Sequence, residues 1–302
     1  MENIYQNNNN NKDNDKAADR FSALICPICG EPLEETEHSY ICGGGRGKRH
    51  CFDRGGSGYV NLAFVKGHRA VSGDPPEAVR SRTEFLERGY YLPAADMIAE
   101  LADEYCPRGL FVDAGCGEGY YSVRLANKER SVFGADLSKY AADRASKRAA
   151  AAGVREYCRF AVASVYELPL ADGSADAALS MFSPCAAEEY SRVLKPGGVL
   201  IVGCAGERHL FELKAAVYDT PTVNEERADL PSADAGLEPV TIKHLSYTMS
   251  FGEDSGDDVR RLFGMTPYKY RTSAADMERL AAIRRLDCTA DFEFRVYRKK
   301  EM

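Results

Sequence analysis

From Gly109 onward the chain alternates short apolar runs with Ala-rich or amphipathic stretches, and this alternation limits the available folds more than any other feature. The runs are GLFVDAG, SVFGAD, YCRFAVA, DAALSMF and GVLIVG. Strands separated by helices pack as a parallel sheet with helices on its faces, so an α/β fold is predicted. The last run, DFEFRVYRK, alternates apolar with polar residues and suits a late antiparallel strand. At 302 residues the chain can hold such a core with a small accessory module beside it.

The first of these strands runs into Asp113-Ala-Gly115-Cys-Gly117-Glu118-Gly119-Tyr-Tyr121, and a helical segment follows. Glycines at such a turn let the backbone reverse tightly and come close to a ligand. Asp136 closes the next strand, where a carboxylate can accept both ribose hydroxyls of an adenosine. Otherwise the glycines form only a packed turn and Asp136 only a helix cap. Dinucleotide sites space their glycines as G-x-G-x-x-G, whereas D-x-G-x-G-x-G is similar to the first motif of class I methyltransferases. S-adenosylmethionine is therefore the expected ligand. Leu194-Lys195-Pro196-Gly197-Gly198, before the run Val199 to Val202, resembles the turn before the fifth strand in the same superfamily, although it would make a good turn anywhere.

Upstream, Cys26-Pro-Ile-Cys29 forms a two-residue knuckle, with Cys42 next and then His50 and Cys51. Such a knuckle supplies two thiolates to a tetrahedral zinc from one turn, Cys42 offers a third, and His50 and Cys51 compete for the fourth place. The alternative is a set of free thiols. The segment from Phe21 to Ala70 has apolar runs too short for a core of its own, so metal binding would supply much of its folding free energy. A closed four-ligand site is structural rather than catalytic.

The expected organisation is a disordered Asn-rich tail over 1–20, a zinc-binding module over 21–70, a helical connector over 71–105 and a catalytic domain over 106–302. The connector shows helical spacing at Val79, Phe85 and Leu86, a break at Gly89, and further spacing at Met97, Ile98 and Leu101. No apolar run approaches membrane-spanning length and no signal peptide is evident, so a cytoplasmic protein with ten reduced or metal-bound cysteines is expected. A net charge of −7 excludes a uniformly basic surface but not a local basic face. Arg46, Lys48, Arg49, Arg54, Lys66, Arg69, Arg80, Arg82 and Arg88, interleaved with Tyr59, Phe64, Tyr90 and Tyr91, could supply one, or could form a solvated surface.

With these residues assembled, the chain resembles the 23S rRNA (guanine-N1-)-methyltransferase family, the RlmA-like enzymes. The likeness runs from about Cys26 to the end through C-P-I-C, R-H-C-F-D with G-Y-V-N-L-A, R-T-E-F-L-E-R-G-Y-Y-L-P, D-A-G-C-G-E-G-Y-Y, S-P-C-A-A-E-E, R-H-L-F-E-L-K and M-T-P-Y. The resemblance implies a Rossmann-like class I methyltransferase domain with a seven-stranded mixed sheet, a small N-terminal zinc-binding β module, and 23S rRNA as partner. It assigns zinc to Cys26, Cys29, Cys42 and His50, and the donor site to Tyr91, the Gly117-Glu118 turn and His209. Members have a shorter gap between the third cysteine and the histidine than this chain has. No membrane partner is expected, and a homodimer is compatible with the sequence.

Methyl transfer from a sulfonium needs the acceptor atom in line with the methyl group, so positioning supplies most of the catalysis. Phe182-Ser183-Pro184-Cys185, after the fourth strand, are the substrate-side candidates, and no general base is named by the sequence. Pyrimidine C5 methyltransferases place a nucleophilic Pro-Cys at this point, so Cys185 has a covalent reading beside the one in which it packs or lines the pocket. A small-molecule methyltransferase and a noncatalytic zinc-ribbon RNA-binding protein are the further alternatives.

Overall fold

The computed structural model of the protein describes residues 20–44, 47–63, 73–231, 233–268 and 272–301. All of the expected tail over 1–20 except Arg20, and the basic-face candidates Arg46, Phe64, Lys66 and Arg69, lie outside the described residues.

Three short strands, β1 (Leu33–Glu35), β2 (Ser39–Cys42) and β3 (Cys51–Asp53), form an antiparallel ribbon. The next strand, β4 (Val60–Asn61), leaves the ribbon and joins the large sheet. Two helices follow, α1 (Pro76–Leu86) and α2 (Leu92–Tyr105), each with a proline in its first turn where the missing N–H costs no hydrogen bond. Gly89 separates them with a left-handed φ of 81°.

The alternating units follow as β5 (Gly109–Ala114), α3 (Ser122–Leu125), β6 (Arg130–Asp136), α4 (Lys139–Ala151), β7 (Cys158–Val162), β8 (Ala175–Met181), α5 (Ala187–Val193), β9 (Leu194–Ala205) and α6 (Phe211–Val217). The C-terminal part adds β10 (Leu237–Phe251), α7 (Gly256–Gly264), α8 (Ala274–Ala282) and β11 (Leu286–Lys299). The sheet order is β10-β11-β9-β8-β5-β6-β7-β4. Strands β4 to β9 run parallel to one another, while β11 is antiparallel to both β9 and β10. Val112, Phe133, Ala161, Leu179 and Ile201 are buried, as strands covered on both faces require. The strand order reverses at β5, between β6 and β8, and in such sheets the ligand crevice opens at the carboxyl ends of the strands at this point.

Among the described residues the large sheet has eight strands rather than the seven expected, because the ribbon lends β4 to the open edge of β7. Leu62 N–H extends that pairing to the Val162 carbonyl at 2.9 Å, so the edge is capped by backbone hydrogen bonds. The ribbon is joined to the domain elsewhere too. Ile25 N–H donates to Pro169 O at 3.0 Å, Ala171 N–H donates to Ala23 O at 2.9 Å, and Arg159 Nε donates to both oxygens of Glu35 at 3.0 and 2.8 Å. Phe21, Leu24, Leu33, Tyr40, Val60 and Leu62 share one core with Val112, Ala135 and Ala161.

Candidate active site and metal centre

The knuckle turns after Ile25, and the ribbon brings Cys42 and His50 against it. The ligand atoms of Cys26, Cys29, Cys42 and His50 all lie within 4.8 Å of one another. Cys29 and Cys42 sulfurs are 3.7 Å apart, and His50 Nδ1 is 3.5 Å from each of the Cys26 and Cys42 sulfurs. Zinc–sulfur bonds near 2.3 Å in a tetrahedron require S···S edges of about 3.8 Å and S···N edges of about 3.6 Å, so the cluster fits that ion. Burial pushes the Cys26 thiol up to about 11. Burial also raises Cys42, but N–H donation from His50 and Gly44 outweighs it and brings the thiol down to about 6. His50 faces the knuckle while Cys51, the next residue, is exposed on β3, because neighbours in extended chain point to opposite sides.

At the carboxyl end of β5 the chain enters the glycine loop. Gly115 has φ 79°, and a Cβ there would lie 2.3 Å from the Ser183 Cβ, so only glycine allows the loop and the turn after β8 to touch. Gly119 has φ 76° and would bring its Cβ to 2.9 Å from Ala145 on α4; Gly117 is left-handed as well. Asp136 holds the loop from the end of β6: Oδ2 accepts the Gly117 N–H at 2.9 Å and Oδ1 accepts the Ser138 N–H at 2.8 Å. A carboxylate has about four acceptor positions, so two remain for ribose hydroxyls. Burial raises the Asp136 pKa, opposed by those two N–H groups and by Arg82.

Two carboxyls at this loop, one at the end of β5 and one within the turn, are buried. Asp113 is buried beneath the loop, where Oδ2 accepts the Ser122 hydroxyl at 2.5 Å and burial pushes its pKa up to about 7. Glu118 is likewise buried, accepting Arg148 Nη2 at 2.9 Å and the Thr83 hydroxyl. Both carboxyls therefore brace the loop, and the Gly117-Glu118 turn offers only its backbone to a ligand. Glu118 ties the loop to α1 and α4 at once.

Tyr91 and His209, distant in sequence, meet in the core: Tyr91 Oη lies 3.1 Å from His209 Nε2. Asp291 N–H donates to His209 Nδ1 at 3.2 Å, so Nδ1 is unprotonated and Nε2–H donates to the tyrosine oxygen. Burial lowers the His209 pKa to about 4, keeping the imidazole neutral. The Tyr91 hydroxyl proton is thereby left for another acceptor. Phe182 and Phe292 complete this aromatic group, with Phe182 ring centres 6.3 Å from Tyr91 and 5.6 Å from His209. Ser183, the next residue, donates to Ala114 O at 2.6 Å. One neighbourhood thus contains the glycine loop, the Phe182-to-Cys185 turn and the Tyr91–His209 pair.

Residues 24–70 match the family model described as RlmA, N-terminal, and residues 112–202 match that described as Methyltransferase domain. The 23S rRNA (guanine(748)-N(1))-methyltransferase of Streptomyces fradiae is 34% identical over 200 residues, covering 64% of this chain and 67% of that one. The "Putative 23S rRNA (guanine-N(1)-)-methyltransferase YxjB" of Bacillus subtilis is 30% identical over 291 residues, covering 90% of this chain and 96% of its own. The chain belongs to the 23S rRNA (guanine-N1-)-methyltransferase family. It is accordingly an S-adenosylmethionine-dependent methyltransferase with a structural zinc.

Two residues that sequence reasoning missed also hold the site. Arg227 and Asp229 pin the acceptor-side turn: Arg227 Nη2 donates to Ser183 O at 2.9 Å, and Asp229 Oδ2 accepts the Cys185 N–H at 2.8 Å. Their own ion pair draws Asp229 down to about 2. They lie in an irregular segment with no periodicity to mark it. The structure narrows the basic-face expectation. Tyr59 and Tyr91 are buried and cannot stack on RNA, and Arg54 and Arg82 pair with Glu35 and Asp74. Lys48, Arg49 and Arg80 are exposed. Among the described residues, no helix is long and apolar enough to cross a membrane.

Proposed function

We propose that this chain transfers a methyl group from S-adenosylmethionine to N1 of a guanine in a hairpin loop of 23S rRNA. Membership of the 23S rRNA (guanine-N1-)-methyltransferase family carries the reading, and the close approach of Gly115 in the donor loop to Ser183 in the acceptor-side turn sets the two half-sites edge to edge. The bound donor supplies an electrophilic methyl group on a sulfonium. Asp136 would accept the ribose hydroxyls, the Gly115-to-Gly119 backbone would hold the donor, and the Tyr91 hydroxyl, oriented by neutral His209, would be available to donate a hydrogen bond to it. Ser183 and Pro184, fixed by Ala114, Tyr190 and Arg227, form the wall against which the base is placed. Such placement is the main catalytic requirement for in-line transfer. Cys26, Cys29, Cys42 and His50 hold the zinc, and the zinc-binding module over 21–70 contributes to rRNA recognition, with the connector over 71–105 joining it to the catalytic part.

Covalent attack through Cys185 is disfavoured. Its side chain is buried and burial pushes the thiol up to about 11, which disfavours the thiolate at neutral pH. Direct transfer needs no thiolate. The test is transfer of labelled methyl from the donor to purified 23S rRNA compared with a cell metabolite extract. Label in the rRNA is expected; label only in the extract would favour a small-molecule methyltransferase.

A further inference from the structure

Among the described residues, two that are not glycine have a left-handed backbone, Phe182 at φ 54° and Leu210 at φ 58°. Both border the site, Leu210 directly after His209. Left-handed geometry is unfavourable for bulky side chains and persists only where surroundings fix it, which happens most often at ligand sites. Leu210 is buried, so packing compensates. Phe182 is 45% exposed, so its conformation keeps a large aromatic ring in water.

The turn bearing that ring is held from four sides. Phe182 N–H donates to Gly203 O at 3.0 Å, Ser183 Oγ is bound to Ala114 O, Arg227 grips Ser183 O, and Asp229 takes the Cys185 N–H. Behind the ring stand His209, Phe292 at 5.8 Å between centroids, and Tyr91. A rigid, half-exposed aromatic ring, fixed beside the donor loop by a strained backbone, has the properties of a stacking surface. A nucleobase must leave its own stack to reach such a pocket, and an aromatic side chain replaces the neighbour it has lost.

We infer that Phe182 is the platform on which the acceptor base stacks beside the methyl donor. The inference rests on the guanine reading above and adds to it the residue that receives the flipped base. Stacking on an aromatic ring accepts any base, so Phe182 positions the acceptor and does not select guanine.

Phe182→Gly is the decisive variant, because glycine adopts the observed φ without strain and removes only the ring. With 23S rRNA as acceptor, KM should rise roughly 10- to 100-fold, the range expected for one lost base–aromatic stack. Calorimetry should find S-adenosylmethionine affinity within about threefold of the wild type, and Phe182→Tyr should restore the rRNA KM. Should wild type methylate the rRNA while Phe182→Gly keeps its KM within about twofold, the platform role is overturned. It is also overturned if donor affinity falls as far as transfer does, since the ring would then serve the donor. A wild type that leaves guanine unmethylated would remove the guanine reading itself, and the platform with it.

Discussion

The buried Tyr91–His209 pair gives a pH dependence whose sign and size follow from the geometry. His209 accepts an N–H at Nδ1, donates from Nε2, and has its pKa lowered by burial from 6.5 to about 4. An imidazole kept neutral in the fold contributes fully above pH 6.5, where the unfolded histidine is neutral too. The contribution is lost as the pH falls from 6.5 toward 4, because the unfolded chain then binds the extra proton. Between pH 7 and pH 5 the loss from this one group is about 2 kcal/mol. Asp113 acts in the opposite direction, since its pKa is raised to about 7 and protonation relieves the cost of its burial as the pH falls. The wild-type curve mixes both effects, so the quantity to measure is the difference from His209→Gln, which can accept from Asp291 and donate to Tyr91 but does not titrate. Calorimetric unfolding of both proteins at pH 7 and pH 5 should show the wild type losing about 4 °C relative to the variant. A constant difference over that range would refute the neutral, Nδ1-accepting assignment.

The metal site and the donor site give two further tests. His50→Ala should lower bound zinc well below one equivalent per chain and lower the unfolding temperature of the whole protein, since the ribbon shares its core with the sheet, while Cys51→Ser should keep the metal; elemental analysis of both variants decides it. Asp136→Asn should weaken S-adenosylmethionine binding about tenfold or more in calorimetry, as expected when a charge-assisted hydrogen bond is lost, and unchanged affinity would remove Asp136 from the ribose site.

The parts of this protein that were legible in sequence are those whose signal is local. The βα alternation, the glycine loop with Asp136, and the C-P-I-C knuckle each lie within a few residues, and the structure places them as elements or turns of the expected kind. Features decided by distant contacts were not legible. β4 is two residues long and exists because β7 has an open edge. β10 went unrecognised because most of its side chains are exposed, so LEPVTIKHLSYTMSF lacks the apolar run of the central strands. Glu118 sits in the expected turn, yet its carboxylate faces Thr83 and Arg148, which are 35 and 30 residues away in sequence. The choice between His50 and Cys51 was open on spacing and is separated here by strand alternation, which requires knowing where β3 begins.

The central claim is direct methylation of guanine N1 with no thiolate at Cys185. It is tested most directly by nucleoside mass spectrometry of 23S rRNA after incubation with S-adenosylmethionine and either the wild type or Cys185→Ser, with the modified position mapped by the reverse-transcription stop one nucleotide short of it. N1-methylguanine from both proteins, at one hairpin-loop position, is the predicted result; C5-methylated cytosine from the wild type and no product from Cys185→Ser would contradict it.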